Sequence, residues 1–170
     1  LDQPRLQRVL DELVQRHESL RTSFAAADGE PRAIVHAAVE LPVRHLDLAQ
    51  VADAGARASA LDAALKAFAA EPFDLARAPL MRVLWVRLGA GDVVLSFVVD
   101  HIVADGLSLA VLLAELRQLY AAGDRGDRAG DAPPAPLPPL PMQYVDWVAW
   151  QEREFAAGGL ESHRVFWTRQ

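Results

Sequence analysis

Within the first 35 residues the spacing of apolar positions changes once, from that of a helix to that of strands. Over residues 4–18 the apolar positions recur every three or four residues, and Pro4 stands near the start, where its missing N–H costs nothing. These positions are Leu6, Val9, Leu10, Leu13 and Val14. Asp28-Gly29 then separates two short runs, 20–24 and 31–35. The pattern predicts an amphipathic helix followed by a β-hairpin.

Residues 43–99 contain further strand patterns around one helical pattern. Residues 43–48 (VRHLDL) alternate apolar and polar side chains, which predicts a short strand. The Ala-rich stretch 51–70 predicts a helix that is broken at Pro72. Residues 80–88 and 93–99 are rich in β-forming apolar residues, so they predict a second, buried hairpin.

The last third begins with another helical pattern after Gly106, marked by an apolar stripe: Leu109, Leu112, Leu113, Leu116 and Tyr120. Residues 123–141 lack apolar periodicity and become Pro-rich, which predicts an exposed linker ending in an extended segment. The tail from 142 to 170 predicts two helices separated by Gly158-Gly159.

Composition and charge exclude several classes of function. The chain has 170 residues with 17 Lys and Arg against 23 Asp and Glu, so it is acidic and lacks the basic surface of a nucleic-acid binder. No apolar run approaches a membrane span, and the N-terminus lacks a signal sequence, so we expect one cytoplasmic domain without a membrane partner. The absence of Cys excludes thiolate chemistry.

The stretch most suggestive of chemistry is DHIVADGLS, residues 100–108, between the last predicted strand and the following helix. An imidazole at such a strand end can accept a proton near neutral pH or hydrogen-bond a reacting group. Asp105 is placed to orient that ring or to brace the loop through an Arg. A lone His and Asp at a strand end more often form a cap and a turn than a catalytic pair, so spacing alone does not make His101 and Asp105 catalytic.

Four ordered stretches resemble motifs of the condensation domains of nonribosomal peptide synthetases. Residues 101–106 (HIVADG) resemble HHxxxDG, and residues 16–24 (RHESLRTSF) resemble RHExLRTxF. Residues 72–80 resemble the family's PFDL-x-x-x-PL segment, and residues 137–150 resemble its LPPLPxQYxDYAxW region. Together these matches span nearly the whole chain.

The resemblance implies an α/β fold of the chloramphenicol acetyltransferase type, with a mixed β-sheet flanked by helices. Two such lobes form a V around a tunnel that holds the catalytic motif. Residues 1–170 would be the N-terminal lobe, with 123–141 as a linker within it. The C-terminal lobe of the same domain would then be a partner.

The family joins a donor acyl or peptidyl thioester to the amine of an acceptor aminoacyl thioester, so the resemblance implies amide formation. His101 matches the second His of the motif and would act on the amine, while Gly106 would leave room for the substrate's phosphopantetheine arm. Asp105 would be a structural ion-pair member. Ser108 would either hydrogen-bond near the reacting centre or belong to the first turn of the helix.

Asp100 departs from the pattern, because the family usually has its first His there. That position would shape the loop, and a buried carboxylate at it needs a donor. Arg16 and Arg21 are the candidate partners of Asp100 or Asp105. The implied macromolecular partners are upstream and downstream carrier proteins and an adenylation domain. No metal and no tightly bound cofactor is expected, since no His, Asp and Glu set has ligand spacing.

Three alternatives remain open at the level of sequence. One is an ester-forming acyltransferase of the same superfamily, and another is an epimerization domain that deprotonates a carrier-bound aminoacyl group. The third is a non-catalytic lobe kept for docking carrier proteins, its motif altered at Asp100.

Overall fold

The computed structural model describes residues 1–126, 137–159 and 161–170. The chain divides into two compact units, Leu1–Pro138 and Pro139–Gln170. The first unit holds every strand of the described residues and the three longest helices.

The N-terminal pattern produces a helix and a hairpin, as predicted. Helix α1 (Gln3–Arg16) begins after Asp2, whose side chain caps it, and ends at His17. A 3-10 turn (Glu18–Arg21) leads into β1 (Thr22–Ala27), which pairs antiparallel with β2 (Glu30–Val35). The first strand starts two residues later than its apolar run, because Leu20 lies in the 3-10 turn and is buried there.

A three-stranded mixed sheet forms the centre of the first unit. Strand β3 (Val43–Asp47) pairs parallel with β4 (Met81–Arg87), and β4 pairs antiparallel with β5 (Val93–Val99). Helix α2 (Ala54–Ala70) connects β3 to β4. It begins three residues later than the pattern predicts, because the Asp53 side chain accepts a hydrogen bond from Ala56 N–H and fixes the helix start.

Both faces of β4 are buried. Met81, Val83 and Trp85 point to the face covered by α1 and by α3 (Gly106–Gly126). Leu84 and Val86 point to the opposite face, which α2 covers with Phe68. The predicted fold class, a mixed sheet flanked by helices, is thereby confirmed.

Strand β5 is less buried than its apolar sequence predicts. All seven of its residues are half-buried, whereas most of β4 is buried. The difference arises because β4 lies between two strands, while β5 pairs with β4 alone among the described residues. An edge strand has one side without a neighbour, and a sequence pattern does not reveal which strand is at the edge.

The predicted linker over 123–141 is wrong at its start. Helix α3 continues to Gly126, because a helix already formed gains one backbone hydrogen bond for each residue added, even where side-chain periodicity has ended. Residues 127–136 of that prediction lie outside the described residues. Residues 137–143 contain neither helix nor strand, as expected.

The second unit consists of α4 (Tyr144–Ala156) and α5 (Glu161–Thr168). Asp146 accepts a hydrogen bond from the Gln143 backbone N–H and stabilises the start of α4. The break between the helices falls at Gly158, whose φ of 75° places it in the left-handed region. The predicted helix, glycine break and helix are confirmed.

Arg82 holds the C-terminal end of α2 and the PFDL segment that follows it. Its guanidinium donates hydrogen bonds to the carbonyl oxygens of Glu71 at 2.6 Å and Pro72 at 3.3 Å. The same group lies 4.0 Å from the ring centroid of Phe73. A cation at this position satisfies carbonyl groups that a helix end leaves without partners.

We predict that Arg82→Met lowers the free energy of unfolding by about 1–3 kcal/mol, because the hydrogen bonds from a guanidinium that is only 13% exposed to the carbonyls at the helix end are lost. Urea denaturation measures this change. The control is Arg77→Met, since that side chain is 85% exposed and its ion pair with Asp74 is 3.4 Å long. Equal midpoints for the two variants would contradict the assigned role of Arg82.

Candidate functional site

The loop between β5 and α3, residues 100–105, carries the site predicted from sequence. Its first residue extends the sheet by one hydrogen bond, from Asp100 N–H to the Leu80 carbonyl at 2.9 Å. The chain then turns sharply, and Val103 N–H donates back to the Asp100 carbonyl at 3.1 Å. The loop is therefore anchored on the sheet at its first residue.

Asp100 stabilises this turn through its side chain. Its Oδ1 accepts a hydrogen bond from Ile102 N–H at 3.0 Å, which is the geometry of an Asx turn. The prediction that Asp100 pairs with Arg16 or Arg21 is wrong. The carboxylate is half-buried, and the loop's own backbone supplies its donor.

The His101 side chain is exposed at the tip of the turn. Within the described part of the chain its imidazole has no hydrogen-bond partner. Both ring nitrogens are thus available to a substrate, which is the requirement for a general base or a hydrogen-bonding group.

Asp105 caps α3. Its Oδ1 accepts hydrogen bonds from Ser108 N–H at 2.8 Å and from the Ser108 hydroxyl at 2.7 Å, and its carbonyl accepts from Leu109 N–H at 3.0 Å. The Ser108 backbone N–H, and next its hydroxyl, hold the pKa of Asp105 below its usual range. Ser108 lies in the first turn of α3, and a hydrogen bond from it near a reacting centre stays a prediction.

The expected ion pair of Asp105 with an arginine is wrong. No arginine of residues 1–122 lies within ion-pair distance of it. An exposed carboxylate in the N-cap position finds backbone donors one turn ahead, so it needs no distant cation.

Gly106 is the first residue of α3 and is exposed. A Cβ added to it would meet no atom within 4 Å among the described residues. Packing within this chain therefore does not require a glycine here. The open space beside its backbone is compatible with the close approach of a substrate arm.

The two arginines of the RHESLRTSF stretch bind elsewhere. Arg16 Nε donates to both oxygens of Glu115 on α3, at 3.2 and 3.1 Å. Arg21 pairs with Glu18 at 3.2 Å and donates to the His36 carbonyl. These contacts brace α3 and the hairpin, and the loop itself is held by backbone donors.

Sequence reasoning missed Glu115 and His17. His17 Nε2 lies 2.7 Å from Glu115 Oε2, and both side chains are largely buried, at 15% and 13% exposure. A signal was present, because Glu115 follows Leu112 by three residues and so borders the apolar stripe of α3, where a half-buried carboxylate needs partners.

Exposed apolar side chains lie on the loop and on α3. Leu107 is 80% exposed and Val111, one turn further along α3 on the same face, is 50% exposed. Ile102 on the loop and Leu113 on α3 are also exposed. Large apolar side chains that are uncovered next to one another mark a surface that another surface meets.

The described residues contain no group of three metal-binding side chains. None of their helices is both long and apolar enough to cross a bilayer.

The fold and the loop define the class of the molecule: a mixed sheet flanked by helices, with an exposed histidine between a strand and a capped helix, as in the chloramphenicol acetyltransferase type. The family model for the condensation domain matches residues 1–170. The chain therefore belongs to the condensation-domain family.

Curated relatives are large synthetases. Chondramide synthase cmdD of Chondromyces crocatus is 37% identical over 172 residues, covering 100% of this chain and 4% of the relative. Tyrocidine synthase 3 of Brevibacillus parabrevis is 41% identical over 121 residues, covering 71% of this chain and 2% of the relative. The chain thus spans a few per cent of the length of these relatives.

Solved structures share the fold. The SgcC5 protein from Streptomyces globisporus superposes with a TM-score of 0.80 at 27% identity, over 99% of this chain and 36% of that one. The first condensation domain of the CDA synthetase has a TM-score of 0.74 at 29% identity, covering 99% of this chain and 41% of that one. The epimerization domain from the third module of tyrocidine synthetase B, at 21% identity, shares the fold alone.

We predict that Asp105→Ala lowers the melting temperature by roughly 2–6 °C, because α3 loses its cap, whereas Asp105→Asn retains most of it. Thermal unfolding followed by circular dichroism measures both variants. The folded pKa of Asp105 is lowered, so its stabilisation is present above the ordinary carboxyl range and is lost as the pH falls through the folded pKa. The difference in melting temperature between the unaltered protein and Asp105→Ala should therefore become smaller in acid. A difference that does not depend on pH would contradict this capping role.

Proposed function

We propose that this chain is the N-terminal lobe of a condensation domain, and that the whole protein forms amide bonds in nonribosomal peptide synthesis. The observation that carries the proposal is the exposed His101 imidazole, which has no hydrogen-bond partner among the described residues. It lies at the tip of a loop that backbone hydrogen bonds close at both ends. Family membership supplies the reaction class.

In the proposed reaction the acceptor's amine nitrogen attacks the carbonyl carbon of the donor thioester. The C–N bond forms, the C–S bond breaks, and the carrier's thiol leaves with the proton that the amine gives up. His101 hydrogen-bonds the amine and relays that proton, while alignment of the two groups supplies a large part of the acceleration.

The substrates arrive on the phosphopantetheine arms of upstream and downstream carrier proteins. We propose that one arm passes beside Gly106, where the backbone is open. The further partners are the C-terminal lobe and an adenylation domain, and the compartment is the cytoplasm. No tightly bound cofactor enters the proposed chemistry.

The C-terminal lobe is the proposed cover for the exposed apolar side chains on the loop and on α3, Leu107 and Val111 among them. The chain matches 36% of the SgcC5 protein and 41% of the CDA synthetase domain, so a second lobe has room in proteins of that size. Two walls are needed to hold two thioester arms in line for attack.

We predict that His101→Ala in the full-length parent protein lowers the rate of condensation by about 10²-fold or more, because the amine loses its hydrogen-bonding group. The measurement is mass spectrometry of the thioester formed between loaded donor and acceptor carriers. His163→Ala is the matched control, since that side chain is exposed on α5. A loss below about threefold would remove His101 from the chemistry.

Acceptors with an amine and with a hydroxyl, run in parallel, separate amide formation from ester formation. Exchange of the Cα hydrogen of a carrier-bound aminoacyl group with solvent deuterium would instead indicate epimerization. No product from the intact parent under any of these conditions would support the non-catalytic docking alternative.

We also predict that residues 1–170, expressed alone, form no condensed product and self-associate, because the exposed apolar side chains on the loop and on α3 lack their cover. Sedimentation velocity and the same carrier assay test both expectations. Condensation by this chain at the rate of the full-length parent would show that one lobe suffices.

A further inference from the structure

A carboxylate on α3 links that helix to the end of α1. Glu115 accepts from Arg16 Nε through both oxygens and contacts His17 Nε2 at 2.7 Å. Its side chain is 13% exposed, so water screens these contacts less than at an open surface. His17 is also the C-cap of α1, and its backbone N–H donates to the Leu13 carbonyl at 3.0 Å.

Five residues further along α3, and so further from the loop, Tyr120 makes two more polar contacts. Its hydroxyl accepts from Asp2 N–H at 2.5 Å, and the Arg5 guanidinium lies 5.4 Å from its ring centroid.

The buried part of the contact between α1 and α3 is apolar. Leu10 and Val14 from α1 belong to the same core cluster as Leu112 from α3, and Leu116 packs against it. Such packing is non-directional and depends on the area removed from water, so it tolerates small shifts along the helix axis. Hydrogen bonds to a carboxylate require defined distances and angles, and they specify one axial position.

The axial position of α3 directly determines where one end of the loop of residues 100–105 lies. Asp105 is bonded to the first turn of α3 through Ser108 and Leu109. Glu115 lies about 14 Å along the same helix at a rise of about 1.5 Å per residue. Any displacement of the helix therefore moves one end of the loop, while Asp100 remains attached to the sheet at the other end.

We propose that Glu115 is a positioning residue for His101. Held by Arg16 and His17, it fixes the axial position of α3 and so the distance between the two anchored ends of the loop. The catalytic part of this inference rests on the proposed function. Misplacement of a catalytic group by about 1 Å costs up to about 10²-fold in rate, so a small shift of α3 is enough to be measured.

The test variant is Glu115→Gln in the full-length parent protein, which keeps the shape and removes the charge. The control is Glu12→Gln, the same change at an exposed position on α1. We expect Glu115→Gln to lower kcat about 10-fold with little change in KM for the loaded carriers, and Glu12→Gln to change neither.

A double-mutant comparison separates positioning from general destabilisation. If Glu115 acts through His101, Glu115→Gln should lower the residual rate of the His101→Ala protein less than about twofold. An equal loss in both backgrounds, or an unchanged kcat, would overturn the inference.

Hydrogen exchange provides a readout that needs no turnover. The hydrogen-bonded amides of Ile102, Val103 and Ser108 should exchange several-fold faster in Glu115→Gln than in Glu12→Gln. If the unaltered parent makes no product but exchange rises as expected, the proposed function fails and the positioning role stands. If product forms and exchange and kcat are both unchanged, the positioning role fails alone.

A milder variant covers the case in which Glu115→Gln does not fold. His17→Leu removes the imidazole contact, because leucine has no donor for the carboxylate, and leaves the bonds from Arg16. We expect it to lower kcat about threefold and to speed exchange at the same amides, since one of the two anchoring side chains is lost. A folded His17→Leu protein with unchanged kcat and exchange would overturn the inference.

Discussion

Strand β4 has apolar side chains on both faces, and the need to cover both of them arranges the first unit. Val83 and Val86 point in opposite directions and both are fully buried. One layer of helices can bury only one face of such a strand. Helix α2 therefore covers one face, while α1 and α3 cover the other. The loop with His101 follows β5, which is paired to β4. The packing of helices on both faces of β4 therefore fixes the position of this loop.

The elements were predictable because each depends on local periodicity. The stripe of α1 and the run of β4 carry enough apolar positions to identify their type without knowledge of their neighbours. The half-burial of β5 was not predictable in this way, because burial at a sheet edge depends on how many strands lie beside it. The C-terminal end of α3 was also not predictable from apolar periodicity, since residues 123–126 extend the helix without extending its apolar stripe.

In the candidate site, too, the features that depend on local interactions were predictable from sequence, and those assigned to distant interactions were not. His101 was identifiable from its place after a strand and from the motif it resembles, yet the partners assigned to the two aspartates were wrong. Backbone N–H groups two or three residues ahead of Asp100 and Asp105 are already close, so pairing with them orders far less of the chain than recruiting a distant arginine. The Asp105-x-x-Ser108 spacing carried this capping signal.

Asp100 and Asp105 both use their carboxylates to hold the backbone of the loop. Asp105 accepts from a backbone N–H and a hydroxyl, which hold its pKa below the usual range. Asp100 uses one carboxylate oxygen to close a turn two residues long. The aspartate at the position where the motif usually has its first histidine therefore closes the loop by a local bond. Between the two anchored ends, His101 is the one imidazole of residues 100–108, and it is exposed and has no hydrogen-bond partner in the part of the chain that the structure describes.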